Sequence, residues 1–240
     1  MDLRYARQVA LPKVGSDGQK RLSNASALVV GAGGLGSPVL TYLAAAGVGR
    51  IGVVDEDMVS LSNLNRQFLH TTGDIGRLKV ESALQSLTAL NGDIRIVPHA
   101  EHLEEDNAPD LLEGYDIVLG AVDSFASRAV INRAAAKLNM PYIDGGVSGF
   151  SGRILFSHPP HTPCLSCVLP DKSAKKTPDG VLGATAGVIG SMQANLALLW
   201  LLDGHNPLQD KMLIYDGWRM SFDLVDIRRN EACPVCGGTI

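Results

Sequence analysis

Two groups of residues in this chain have types and spacings that can do chemistry. The first is four cysteines in two CxxC pairs, Cys164 and Cys167 in "CLSC" and Cys233 and Cys236 in "CPVC", which use every cysteine of the 240 residues. Thiols at this spacing suit a disulfide staple, a catalytic thiol with its partner, or a metal clamp. Two such pairs offer four thiolates, the closed tetrahedral set of structural Zn²⁺ sites. We read them as a structural zinc site, with the disulfide and redox readings kept beside it. A closed set leaves no position for water, so its work would be to tie the middle of the chain to its C-terminal end. His161, three residues before Cys164, is a spare ligand that four sulfurs do not need.

The second group begins with "GAGGLG", residues 31–36. Gly31, Gly33 and Gly36 fit G-x-G-x-x-G between a predicted strand and a predicted helix, the setting in which backbone approaches a phosphate at a helix N-terminus. The next strand ends in "VVDED", where Asp55 is placed to accept from ribose hydroxyls. This much fits a dehydrogenase equally well. Further along, "SLSNLNRQFLH" puts Arg66 among Asn63, Asn65 and Gln67, Lys79 opens a predicted helix, and Asp123 ends the strand pattern "DIVLGAVD". Two cations and a lone acid beside a phosphate loop suit a triphosphate with Mg²⁺: the cations neutralise departing pyrophosphate and the acid holds the metal. Singly, each has an ordinary reading as a surface ion pair, a solvated helix lysine or a helix cap. No Ser-His-Asp or Cys-His pairing stands out.

These residues need elements to position them. Short β-branched runs at 27–33, 50–57, 94–100 and 116–123 alternate with helical patterns at 37–47, 76–91 and 124–139. Ser37 reads as the cap of the first of these helices, Pro38 as its first residue and Gly47 as its end. Alternation of this kind predicts βαβ units and a parallel sheet. After about residue 141 the strands "PYIDGGVSG", "GRILFSH", "MLIYDGW" and "FDLVDIRR" follow one another, and the tight links "GFSG" and "WRMS" predict antiparallel pairing. Residues 159–180 read as a mobile loop, and an apolar helix over roughly 186–202 as a core or interface helix. The expected fold is α/β, a Rossmann-like, mostly parallel sheet with helices on both faces that continues into an antiparallel half. One domain spans 1–240, with a nucleotide-binding half (1–145) and a half (146–240) holding the zinc site and a docking surface.

At 45% hydrophobic residues the chain is globular, and its net charge of −4 with no dense basic block argues against a nucleic-acid partner. "KSAKK" at 172–176 is too small a basic spot to change that. "MDLRYARQ" has no signal-type apolar stretch, and "ANLALLWLL" falls far short of a bilayer span. A cytoplasmic protein with no membrane partner is expected, and a reducing compartment favours metal over disulfide.

Together, "RYARQ" (4–8), "GAGGLGSP", "VVDEDMVSLSNLNRQFLH", "GRLKVESA", Asp123, "CLSC", "GVIGSMQA" and "CPVC" resemble the MoeB/ThiF/HesA family of the ubiquitin-activating-enzyme superfamily. The resemblance runs in order over nearly the whole chain and is closest to the MoeB-type, molybdopterin-synthase adenylyltransferase branch. It implies an enzyme that uses ATP and Mg²⁺ to adenylate the C-terminal glycine of a small ubiquitin-like sulfur carrier ending in Gly-Gly, with a separate sulfur donor acting afterwards. It implies that Gly34 and its flanking glycines lie on the phosphates and that Asp55 binds ribose. Asn63, Arg66 and Lys79 would contact phosphates, and Asp123 would bind Mg²⁺. Asp57, Ser62 and Gln67 complete the nucleotide set. Arg7 would reach the phosphates from the other subunit of a homodimer. Where the family often has Asn after that acid, this chain has Ser124, whose reach is shorter. The Gly-rich stretch at 144–152 is expected to leave room for the carrier's tail, and the 159–180 loop and apolar strand faces to dock the carrier.

Three other functions compete: an NAD-dependent oxidoreductase, a non-catalytic zinc module, and a thiamine-pathway or other sulfur-carrier enzyme within the family. The first gives no role to Arg66, Lys79 and Asp123 together, and the second leaves the phosphate loop idle. Once zinc holds four cysteines, no thiol remains in these residues for a thioester with the carrier.

Overall fold

The computed structural model describes residues 3–169 and 180–237; the "KSAKK" spot lies outside them. After a 3₁₀ turn at Leu3–Tyr5 come helices α1 (Ala6–Val9) and α2 (Gly15–Asn24), then β1 (Ser26–Val30), α3 (Gly36–Ala46) and β2 (Arg50–Val54). They are followed by α4 (Lys79–Leu90), β3 (Arg95–His99), α5 (Ala108–Leu112), β4 (Ile117–Gly120), α6 (Phe125–Lys137), β5 (Tyr142–Ser148) and β6 (Ser151–Ser157). The chain closes with α7 (Leu165–Val168), α8 (Gly183–Asp203), β7 (Lys211–Asp216) and β8 (Ser221–Asp226).

All eight strands join one sheet in the order β3-β2-β1-β4-β5-β6-β7-β8. β3, β2, β1, β4 and β5 run parallel, while β5 to β8 pair antiparallel. The change of hand therefore falls on β5, parallel to β4 on one side and antiparallel to β6 on the other, rather than in a linker. The "GFSG" and "WRMS" links are the tight turns expected, closing Ser148 onto Ser151 and Asp216 onto Ser221.

Alternate residues of the strands feed two cores, as the period of two demands. Val29, Val53, Leu119 and Ile143 pack under α3, α4 and α8. Leu28, Val30, Val118 and Tyr142 pack under α5 and α6. Each such side chain, once fully buried, stabilises the fold by about 1.5–3 kcal/mol. Among the described residues α8 is the helix long and apolar enough to cross a membrane, but it packs on α3, β5 and β6.

Local chemistry differs from expectation at two places, and a third was not anticipated. Ser37 lies inside α3 and donates to the Gly33 carbonyl at 2.9 Å instead of capping, while Gly47 ends the helix in the left-handed conformation as expected. Within the expected mobile loop, α7 forms with Cys164 as its N-cap and Cys167 inside it; residues 170–179 lie outside the described ones. The N-terminal arm is helical, with Tyr5 wedged against Gly47 and accepting from Asn91 at 2.8 Å.

Candidate functional site

A cleft of about 400 Å³ opens at the carboxyl ends of β1, β2 and β4, where the strand order reverses. Gly31, Gly33, Gly34, Asp55, Asp57, Arg66, Gln67, Lys79 and Asp123 all line it. Nine residues drawn from five separate stretches of sequence thus meet on one edge.

The floor is the β1–α3 loop. Gly31 has φ +102°, and a Cβ there would sit 2.6 Å from the Ala121 carbonyl, so only glycine fits. Gly36 does not line the cleft; a Cβ there would lie 2.0 Å from the Gly31 carbonyl oxygen, so its absence lets α3 start close against that carbonyl. Asp55 holds this loop: one oxygen accepts from the Ala32 amide at 2.8 Å and the other from the Asp57 amide at 2.9 Å. Lys79, only 6% exposed at its side chain, donates to Asp57 at 2.7 Å and stands 3.7 Å from Asp55. The lysine is thus aimed by two carboxylates before any ligand arrives. Below it, buried His70 bridges the Ala32 carbonyl at 2.9 Å and the Ser82 hydroxyl at 2.8 Å, and burial pushes its pKa below the usual histidine value.

Arg66 is anchored to the Ser62 carbonyl at 3.0 Å and to Asn65 Oδ1 at 2.9 Å. Gln67 is buried at 4% exposure, and its Oε1 has no hydrogen-bond partner among the described residues. Ser62 and Asn63 do not line the cleft: Asn63 caps the turn that carries Arg66, accepting from the Ser60 amide at 3.1 Å, and Ser62 bonds Ser60 at 2.9 Å. Asp123 is exposed on the cleft wall, and its carboxylate makes no hydrogen bond or ion pair among the described residues. Ser124 is the N-cap of α6, accepting from the Ser127 amide at 3.0 Å, so its short side chain is committed to the helix. Arg7 is exposed on α1 and does not line the cleft of its own chain.

Sequence reasoning missed Glu56, His102, Ser127 and Arg128 on the cleft wall, and the buried acid behind it. His102 Nδ1 lies 2.6 Å from Glu56. Asp144, fully buried on β5, takes Arg128 at 2.5 Å on one oxygen and Arg153 on the other, and Tyr142 donates to it at 2.8 Å. Although burial opposes its charge, the two guanidinium groups hold its carboxyl below the ordinary aspartate range. An acid in the apolar run "YIDGG" was the available signal. The room expected over this stretch is divided: a Cβ on Gly145 would lie 2.2 Å from Gln193 and one on Gly152 2.3 Å from Ile189, whereas a Cβ on Gly149 would meet nothing within 4 Å and Val147 and Ser148 line the cleft.

The cysteines form a second, closed site. Their four Sγ atoms lie within 4.8 Å of one another, with 3.9 Å between Cys164 and Cys167, 3.6 Å between Cys164 and Cys233, and 3.3 Å between Cys167 and Cys236. A disulfide would need about 2 Å. Sulfurs about 2.3 Å from a tetrahedral metal would be about 3.8 Å apart, which these separations approach. The Asn132 side chain approaches Cys164 Sγ at 3.7 Å and accepts from the Leu165 amide at 3.0 Å, while the Asn230 amide donates to Cys167 at 3.4 Å. Burial pushes the Cys164 and Cys167 thiols up. Cys233 is also penalised by burial, but the Cys236 and Val235 amides bring it down to about 7.

The profile of the ThiF family matches residues 5–235. The sulfur carrier protein adenylyltransferase of Thermus thermophilus is 44% identical over 248 residues, covering 98% of this chain and 90% of that one. The adenylyltransferase and sulfurtransferase MOCS3 of Aedes aegypti is 41% identical over 97% of this chain, which spans 55% of the longer relative. The SAMP-activating enzyme E1 of Haloferax volcanii is 39% identical over 98% of this chain and 88% of its own. Among solved structures, E. coli MccB with ATP superposes with a TM-score of 0.88 at 23% identity, over 99% of this chain and 75% of that one, a likeness of fold. With its phosphate loop, its cysteine pairs and relatives matched along nearly its whole length, this chain belongs to the ThiF family.

Proposed function

We propose that this protein is an ATP-dependent adenylyltransferase that activates the C-terminal glycine of a small ubiquitin-like sulfur carrier. The observation that carries the reading is the cleft: a glycine loop, two anchored cations and a free acid share one wall with an orphaned buried amide oxygen. The Thermus relative, whose name states this activity, is similar across nearly all of the chain.

In this reading the carrier's terminal carboxylate attacks the α-phosphorus of ATP. The new acyl–phosphate bond forms as the bond to the bridging oxygen breaks and pyrophosphate leaves. No covalent enzyme intermediate is needed; positioning and charge neutralisation suffice. Arg66 and Lys79 meet the phosphate charge, and the loop from Gly31 to Gly36 lets backbone approach it. Asp55 and Asp57 hold Lys79, and Asp55 keeps lone pairs for ribose hydroxyls. Asp123 offers the hard oxygen that Mg²⁺ takes, and Mg²⁺ supplies positive charge at the leaving group when bound. Arg7, exposed on α1, serves the cleft of a second subunit in a homodimer. Cys164, Cys167, Cys233 and Cys236 hold Zn²⁺ as a structural ion; the sulfur separations and N–H donors fit that ion. With all four thiols so used, sulfur comes from a separate donor. The carrier docks on the exposed apolar surface made by Phe222 and Leu224 of β8 and by Trp218 and Met220 in the turn before it, beside Phe150. One domain, 1–240, contains both halves of this machinery.

Incubation with ATP, Mg²⁺ and carriers ending in Gly-Gly tests the reading, a molybdopterin-type carrier first and a thiamine-type one second. Carrier-dependent pyrophosphate and a carrier–AMP mass are expected, with no thiol-sensitive carrier–enzyme adduct. Thermal stabilisation by NAD and not by ATP–Mg²⁺ would instead make the protein an oxidoreductase.

A further inference from the structure

Arg128 lines the cleft yet is only 4% exposed, and it is fully engaged. One terminal nitrogen donates to Asp144 and to the Gly145 carbonyl, and the other donates to the Val122 carbonyl. Val122 immediately precedes Asp123. On the other side of Asp123, Ser124 is fixed as the cap of α6 by the Ser127 amide. Asp123, an acid without a hydrogen bond or ion pair among the described residues, therefore sits on a peptide segment pinned at both neighbours, to β5 by a guanidinium and to α6 by a cap. The charges point the same way. Arg128 and Arg153 share the single carboxylate of Asp144, Tyr142 contributes only a neutral hydroxyl, and Asp123 is a further negative charge acting on Arg128. One positive charge is left over beside Asp123.

We propose that Arg128 is a positioning residue for Asp123: it sets where that carboxylate stands in the cleft and so the affinity for the nucleotide's divalent cation. The proposal rests on the adenylation reading for the cation's identity, but its geometry is this chain's own. A planar fork donates from two nitrogens at once, here one to Asp144 and the Gly145 carbonyl and the other to the Val122 carbonyl, whereas an ammonium donates from a single point. Removing partners of this outer kind costs about 10–100-fold in metal affinity. Arg153 holds the same buried acid but touches neither Val122 nor the cleft, so it serves as the internal control.

The test is the Mg²⁺ concentration giving half of the ATP-induced rise in melting temperature, read for wild type, Arg128→Lys and Arg153→Gln. Arg128→Lys is expected to raise that midpoint at least about tenfold while the shift from ATP without metal is unchanged. Arg153→Gln is expected to lower the melting temperature and leave the midpoint in place. Carrier-dependent turnover at saturating Mg²⁺ should recover in Arg128→Lys. Equal midpoints in wild type and Arg128→Lys, or equal displacement in both arginine variants, would overturn the role. If Arg128→Lys does not fold, Asp123→Glu decides, since Asp123 is exposed: a pinned segment cannot retreat for the extra methylene, so the midpoint rises, whereas an unchanged midpoint refutes the proposal. A wild-type protein with no Mg²⁺-dependent ATP shift would overturn the adenylation reading together with this one; a normal wild-type shift with unmoved variants overturns this one alone.

Discussion

The cleft and the cysteine cluster are served by one helix and are built on opposite principles. α6 gives Ser127 and Arg128 to the cleft and, one turn on, Asn132 to the cluster. The cluster is closed: three of its four sulfurs are buried, all face one another, and N–H groups from Asn132 and Asn230 approach them. The cleft is open: Asp123 is unpaired, Gln67 Oε1 is buried without a donor, and Lys79 leans on acids that outnumber it. In the proposed reading the closed set holds one structural ion, so its loss should appear as lost stability. An open set stores unsatisfied polar groups, so its changes should appear in ligand binding and turnover.

Breaking the closed site should have the largest effect on the fold. Cys164→Ser is expected to take bound zinc, by elemental analysis, from one ion per chain to none. With the metal goes folding energy; a loss of at least about 4 kcal/mol corresponds to a melting temperature lower by about 10 °C. A protein purified without zinc, and indifferent to this change, would erase the contrast. The matching break in the open site is Asp123→Ala. Carrier-dependent pyrophosphate release should fall by about 10²–10³-fold, while the melting temperature of this exposed position stays within about 2 °C of wild type. A large drop in melting temperature would mean that Asp123 belongs to the scaffold.

Much of this division could be read before the fold was seen, and for physical reasons. Strand ends and phosphate loops are local: "ALVVGAG" carries its own β-branched run and its own glycines, and it became β1 and the loop after it. The CxxC pairs carry their ligand spacing with them, so four sulfurs converge although the chain between them holds α8 and two strands. Long-range polar contacts leave no such trace. Arg128 reads as an ordinary helix arginine until β5 brings Asp144 within 2.5 Å. Ser37 looks like a cap by type, but the helix begins at Gly36, two residues before Pro38, and the hydroxyl turns back to Gly33. The glycines of "DGGVSGFSG" look alike in sequence, yet Gly145 and Gly152 are filled by Gln193 and Ile189 of α8, some forty residues away, while Gly149 stays open. The helical start of the chain went unread because α1 is only four residues long and its place is fixed by packing such as Tyr5 against Gly47.

A subtler break tests whether the cleft stores an unsatisfied group. Gln67→Leu removes the buried Oε1 that lacks a donor. An unpaired buried acceptor costs about 1–3 kcal/mol, so the free protein should melt about 2–4 °C higher per kcal/mol recovered. The rise in melting temperature on adding ATP–Mg²⁺ should shrink at the same time. Loss on both counts would show that Gln67 is packed as structure, like the cysteines, and not held open for a ligand.

The smallest expected effect comes from the histidine under the phosphate loop. Ala32 carbonyl can only accept, so neutral His70 carries its proton on Nε2 and accepts from Ser82 on Nδ1. Burial first, with Lys79 nearby, holds its folded pKa below 6.5, against the opposing pull of Asp55 and Asp74. The unfolded chain therefore takes up the proton first as pH falls, and stability drops from about pH 6.5 down to the folded value, below which the loss levels off. His70→Gln keeps an N–H for Ala32 and cannot titrate. Its melting temperature should fall less than that of wild type between pH 7.5 and 5. An equal fall in both would move the effect to His99 and His158, whose values burial also lowers. In that case the loop under the cleft would be as insensitive to acid as the rest of the scaffold, and the open site's polar groups would be confined to the wall that faces the ligand.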